Sequence, residues 1–169
     1  TSEENINKEN SQSIYDDLST IYGIPVVFED RKIIQNYASI RMPKDFTEWT
    51  PEEVVRIYFH GSRPQHVFSN EYLPFMLALN WTSNMISNES RVFKASTLKR
   101  DNFNLSILQF TAQTFDSVNM NIMFFASIEN RLLIGNITFQ QKYANRLQPI
   151  ALEMAQSFHL LHKEGGREE

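Results

Sequence analysis

Val118-Asn119-Met120-Asn121-Ile122-Met123-Phe124-Phe125-Ala126-Ser127-Ile128, then Glu129-Asn130-Arg131, then Leu132-Leu133-Ile134-Gly135-Asn136-Ile137-Thr138-Phe139 is the stretch that decides the fold. Val118, Met120, Ile122, Phe124, Ala126 and Ile128 fall on alternate positions. That is the period of a strand with one buried face. Leu133, Gly135, Ile137 and Phe139 repeat the pattern, and Glu129-Asn130-Arg131 between the runs reads as a hairpin turn.

Upstream, Leu105 to Phe115 reads as a long strand, and Phe75, Leu77, Leu79 and Trp81 alternate as another. Val92, Phe93 and Leu98 support a weak helix between residues 85 and 100. Downstream, Leu147, Ile150, Ala151, Met154, Phe158 and Leu161 recur at helical spacing, with Pro149 assigned to the first turn. Thr50-Pro51-Glu52-Glu53 is a helix start. Thr is a preferred N-cap, Pro suits the first position, and Glu53 closes a capping box, with Gly61 as the stop. Glu52 and Glu53 are read as helix-start residues rather than a catalytic carboxylate pair.

Ile14, Leu18 and Ile21 suggest a short helix ended by Gly23. Val26 to Phe28 and Lys32 to Ile34 read as short strands around a Glu29-Asp30-Arg31 turn, and Tyr37 to Met42 as a strand stopped by Pro43. Helices and hairpin-joined strands in this non-alternating order predict an α+β fold with a mainly antiparallel sheet. Residues 1–13 and 163–169 are too polar to pack, so 14–162 is expected to form a single domain.

Composition removes whole classes of function. The 169 residues hold no run of the roughly 18 apolar residues that crosses a bilayer. Sixteen basic against twenty acidic residues, a formal charge of −4, argue against a nucleic-acid partner. No cysteine means no disulfide, thiolate nucleophile or Cys-ligated metal. Five glycines, at 23, 61, 135, 165 and 166, build no phosphate-cradling loop. The start at Thr1 fits an exported or anchored protein trimmed of an upstream signal, and equally a cytoplasmic one.

Four histidines are the natural candidates for chemistry. His159-x-x-His162 would put two imidazoles on one helical face, but no carboxylate lies at a matching offset. His60-Gly61-Ser62-Arg63-Pro64-Gln65-His66 gathers two histidines and an arginine in one loop, without a nucleophile-elbow signature around Ser62. Its structural reading is helix stop and strand start, with Arg63 bonding loop carbonyls or pairing with an acid. Asn119, Asn121, Met123 and Phe125 give the outer side of the 118–128 strand the mixed polar, methionine and aromatic character of a protein-contact surface. Burial beneath a helix is the competing reading for Met123 and Phe125.

Met42-Pro43-Lys44-Asp45-Phe46, Arg63-Pro64-Gln65 with Val67-Phe68-Ser69-Asn70-Glu71, and Leu77-Ala78-Leu79-Asn80-Trp81-Thr82 resemble small bacterial proteins of the DcrB/PsbP-like superfamily. Glu129-Asn130-Arg131-Leu132-Leu133-Ile134 to Phe139, then Pro149-Ile150 to Ser157-Phe158, are similar to that group's final hairpin and helix. The resemblance covers about residues 26 to 161 and lies in fold-building residues, with Glu129-Asn130 where an Asp-Gly turn is usual. It implies an α/β/α sandwich around a twisted antiparallel sheet. It also implies a binding role, since known members include photosystem accessory subunits, a Ran-binding import factor and adaptor chaperones.

The expected function is therefore a non-enzymatic protein-binding accessory or adaptor, of the kind that serves bacterial secretion or immunity, alone or as a dimer. Arg63, His66, Asn119, Asn121 and Phe125 are the candidate contact residues. No catalytic, metal or cofactor residue is assigned. The alternatives are a small-molecule binder or hydrolase using the His60–His66 loop, and a structural cell-envelope protein.

Overall fold

The computed structural model describes residues 12–58, 63–85, 96–99 and 103–161. The quoted stretch forms its centre: β10 (Val118–Ile128) and β11 (Arg131–Gln140) pair in antiparallel register, with Phe124 opposite Gly135. β9 (Asn104–Gln113) flanks β10, and β7 (Phe75–Met85) flanks β11. With β5 (Thr47–Glu48), β6 (His66–Ser69) and β8 (Ser96–Lys99) they make a seven-stranded sheet, ordered β5-β6-β7-β11-β10-β9-β8. β3 (Phe28–Ile33), β4 (Ala38–Pro43) and β12 (His159–Leu160) form a second sheet, and β1 (Ser19–Ile21) pairs with β2 (Ile24–Val26).

Among the described residues the α-helices are α1 (Pro51–Ile57) and α2 (Ala144–Gln156). α2 turns Leu147, Ile150, Ala151, Met154 and Ala155 onto β10, β11 and β4. Each large side chain buried there contributes about 1.5–3 kcal/mol. Leu77, Leu79, Ile122, Phe124, Leu133 and Ile137 form the sheet's share of this core. Gly135 is required where it stands, because a Cβ there would come within 2.1 Å of Phe124 Cζ. α1 carries the expected capping box, with Thr50 Oγ1 accepting from Glu53 N–H and Thr50 N–H donating to Glu53 Oε1. It reaches the opposite side of the sheet, where Tyr58 Oη lies 3.6 Å from Met76 Sδ. Helices on both sides of a mainly antiparallel sheet give the α+β sandwich expected.

Several local expectations are corrected. Residues 19–26 are a hairpin and not a helix: Tyr22 and Gly23 both have positive φ, the pattern of a type I′ turn. Leu18, assigned to the buried side of that helix, is exposed. Gln12 and Ser13, read as too polar to pack, are hydrogen-bonded to Thr20 N–H and to Glu153; residues 1–11 and 162–169 lie outside the described residues. Glu29-Asp30-Arg31 is no turn but the middle of β3, whose charges suit an edge strand. Ser96–Lys99, read within a weak helix, is a strand; residues 86–95 and Gly61 are not among those described.

The closing helix stops at Gln156. Ser157 Oγ donates to Met154 O and accepts from Arg41 N–H, which turns the chain into β12 beside β4. Phe158 leaves the helical row and packs against Phe103 and Phe124. Since α2 begins at Ala144, Pro149 lies beyond its first turn. Among the described residues, no helix is long and apolar enough to cross a membrane.

Candidate functional site

β6 places His66 on the α2 side of the large sheet, because it pairs with buried Leu79 of β7. On the adjacent strand, Glu48 pairs with Phe68, which brings its carboxylate diagonally across from the imidazole. His66 Nδ1 and Glu48 Oε2 lie 2.6 Å apart, with both side chains well exposed. They stand at one wall of a cleft of about 390 Å³. Phe68 and Leu79 line it on the same side, and Arg31 to Asn36 line it from the β3–β4 hairpin.

That opposite wall has unusual backbone. Ile34, Gln35 and Asn36 all have positive φ, at 53°, 52° and 67°. For a β-branched residue this is a true outlier. Ile34 accepts it because its side chain is buried in the core, 5% exposed, while Tyr37 N–H bonds back to Ile34 O. Arg31 braces the hairpin: its guanidinium donates to Phe46 O at 2.6 Å and to Lys44 O at 2.8 Å, with Glu29 at 3.6 Å.

The five candidate contact residues do not converge. Arg63 donates Nε–H to Tyr58 O, one of the two roles expected of it, and His66 belongs to the cleft. Asn119, Asn121 and Phe125 lie on β10 with parity opposite to Phe124, so they face away from α2 and from His66. Asn121 is not an exposed contact residue. It is 7% exposed, and its Oδ1 accepts from Asn136 Nδ2 and Thr138 Oγ1, both at 3.0 Å. Asn119 and Phe125 are half-buried. His159 sits on β12, so it is not on a helix; His60, Ser62 and His162 lie outside the described residues.

No group of three or more metal-ligating side chains occurs among the described residues. Burial pushes the Tyr58 phenol above its usual 10.0. Two features escaped sequence reading. Glu48 is 18 positions from His66, with no local pattern joining them. Phe115 is completely exposed, at 102%, in the β9–β10 turn. That turn is ordered by Thr114 N–H donating to Ser117 O at 2.8 Å and by a hydroxyl pair between the same two residues. Phe110, 38% exposed, lies on the outward face of the same hairpin.

No family model matches the sequence, and neither does any curated protein. Solved structures do. The solution structure of the cyanobacterial PsbP, CyanoP, from Synechocystis sp. PCC 6803 superposes with a TM-score of 0.57 at 11% identity, over 79% of this chain and 92% of that one. A crystal structure from Bacteroides thetaiotaomicron VPI-5482 gives 0.51 at 11% identity, over 80% of this chain. The match spans about half, 49%, of that Bacteroides chain. At such identity the likeness carries architecture alone: this chain has the PsbP-like fold.

Proposed function

We propose that this protein is a non-enzymatic accessory or adaptor that holds a protein partner at the tip of its β9–β10 hairpin. The observation that supports this reading is Phe115, fully exposed on a hydrogen-bonded turn, with Phe110 and Asn119 on the adjoining strands. A large apolar ring held in water by an ordered backbone contributes nothing to this fold, and aromatic anchors of that kind dominate protein interfaces. The contact centre thus shifts from Asn121 and Phe125 toward the hairpin tip.

Affinity capture from the native host tests it, comparing the unaltered chain with Phe115→Ser and Phe110→Ser variants of verified thermal stability. A stoichiometric partner of the unaltered chain should fall at least about tenfold with Phe115→Ser, as for an anchor side chain. Capture of the same partner in unchanged ratio by both variants, or no stoichiometric partner at all, overturns the reading.

A further inference from the structure

We infer that two copies of this chain join edge to edge through residues 109–113 of β9. β8 pairs with β9 over Asn104 to Ile107 only. Beyond Ile107, no strand among the described residues lies on that side of β9, and Gln109, Phe110, Thr111 and Gln113 are exposed. The alternation of an antiparallel ladder decides which backbone groups are open there. Thr114 N–H donates to Ser117 O. In the same register Ala112, Phe110 and Leu108 are therefore the residues that bond to β10. Gln109, Thr111 and Gln113 turn their N–H and C=O groups the other way, to the open edge.

Such an edge is a template for one more strand, and proteins blunt it with charge or proline. Edge strand β3 of this chain is blunted so, with Glu29, Asp30, Arg31 and Lys32 in succession. The open part of β9 is not. From Phe103 to Phe115 the sequence holds no charged residue and no proline, although 21% of the chain is charged.

The occupant that fits this edge is the same edge of a second copy. Antiparallel pairing about a twofold axis at Thr111 sets Thr111 opposite Thr111, Gln109 opposite Gln113 and Phe110 opposite Ala112. The open residues then fall at the hydrogen-bonded positions, which gives about six backbone bonds. Hydroxyl meets hydroxyl, carboxamide meets carboxamide, and each Phe110 ring meets a methyl group. Gln109 Oε1 accepts from Gln148 Nε2 at 2.7 Å, which leaves its own amide group to donate. No like charges oppose each other along the match. The start of β8 bounds it at one end and the turn at Phe115 at the other.

So short an interface belongs to the weak, concentration-dependent class. It is independent of partner binding at Phe115, which lies outside the paired residues. Sedimentation velocity of the full chain, from about 5 µM to about 1 mM, should show a monomer–dimer equilibrium. In amide-resolved hydrogen exchange, residues 108, 110 and 112 should be protected throughout. Residues 109, 111 and 113 should exchange freely in the dilute chain and at least about fivefold more slowly at the highest concentration. Thr111→Lys and Thr111→Glu each place like charges face to face at the axis, and each should weaken association at least about tenfold without loss of thermal stability. Mixing the two variants should restore a dimer with one copy of each. A chain that stays monomeric at every concentration overturns the inference, as does protection of residues 109, 111 and 113 in the dilute chain, where the edge would already be covered. Undiminished association of both single variants, or a mixture that stays monomeric, overturns it equally.

Discussion

The β10–β11 and β3–β4 hairpins both turn on non-glycine residues with positive φ, for opposite reasons. Glu129 and Asn130 form a two-residue turn between paired Ile128 and Arg131, and both are exposed. Their left-handed geometry matches the twist of the strands, so the local chain selects it. Ile34, Gln35 and Asn36 belong to a longer turn, one of whose side chains is buried in the core. There the core selects the backbone. A turn of the first kind can be improved locally; one of the second kind cannot be altered without opening the core.

The largest expected effect lies behind the regular turn. Gly135→Ala should destabilise by about 2–4 kcal/mol in denaturant unfolding, because its methyl group overlaps a ring that has nowhere to move. Adding Phe124→Leu should recover part of that loss; no recovery would show that strand flexibility, and not the ring, requires glycine. Next comes Ile34→Ala, expected to cost about 2–3 kcal/mol, since lost burial outweighs any relief at the backbone. A neutral or stabilising result would mean that strain dominates this turn and would erase the contrast. The smallest effect is at Asn130→Gly, expected to raise stability by about 0.5 kcal/mol by easing a left-handed residue in the exposed turn. A loss there would point to a contact made by the Asn130 side chain.

The same contrast sets what could be read in advance. Strands β7, β10 and β11 were legible because each alternates over many residues, β9 because its first half is mostly apolar, and α1 because its cap is written in four consecutive residues. The hairpin at Tyr22-Gly23 was hidden because Ile14, Leu18 and Ile21 satisfy a helical period equally well, and only burial shows Leu18 facing water. The end of α2 was hidden because Phe158 continues the apolar row, while Ser157 is drawn to a backbone N–H 116 residues away. Of the candidate site, His66 was visible as a residue. Its cleft was not, since Glu48 and Ile34 to Asn36 reach it only through tertiary structure. Phe115 carried no signal beyond being one more apolar residue near a strand end.

The clasp between the N-terminal segment and α2 has a kinetic consequence. Glu153 accepts from Ser13 Oγ and Ile14 N–H, contacts that span 140 and 139 positions. Arg41 joins both ends of the domain, through Ile14 O and Ser157 Oγ. Loop-closure entropy makes such contacts the slowest to gain, whereas β9 to β11 form from neighbouring chain. The meander is therefore expected to assemble before the clasp, an order that stopped-flow refolding of a Glu153→Gln variant would check through an unchanged folding rate and faster unfolding.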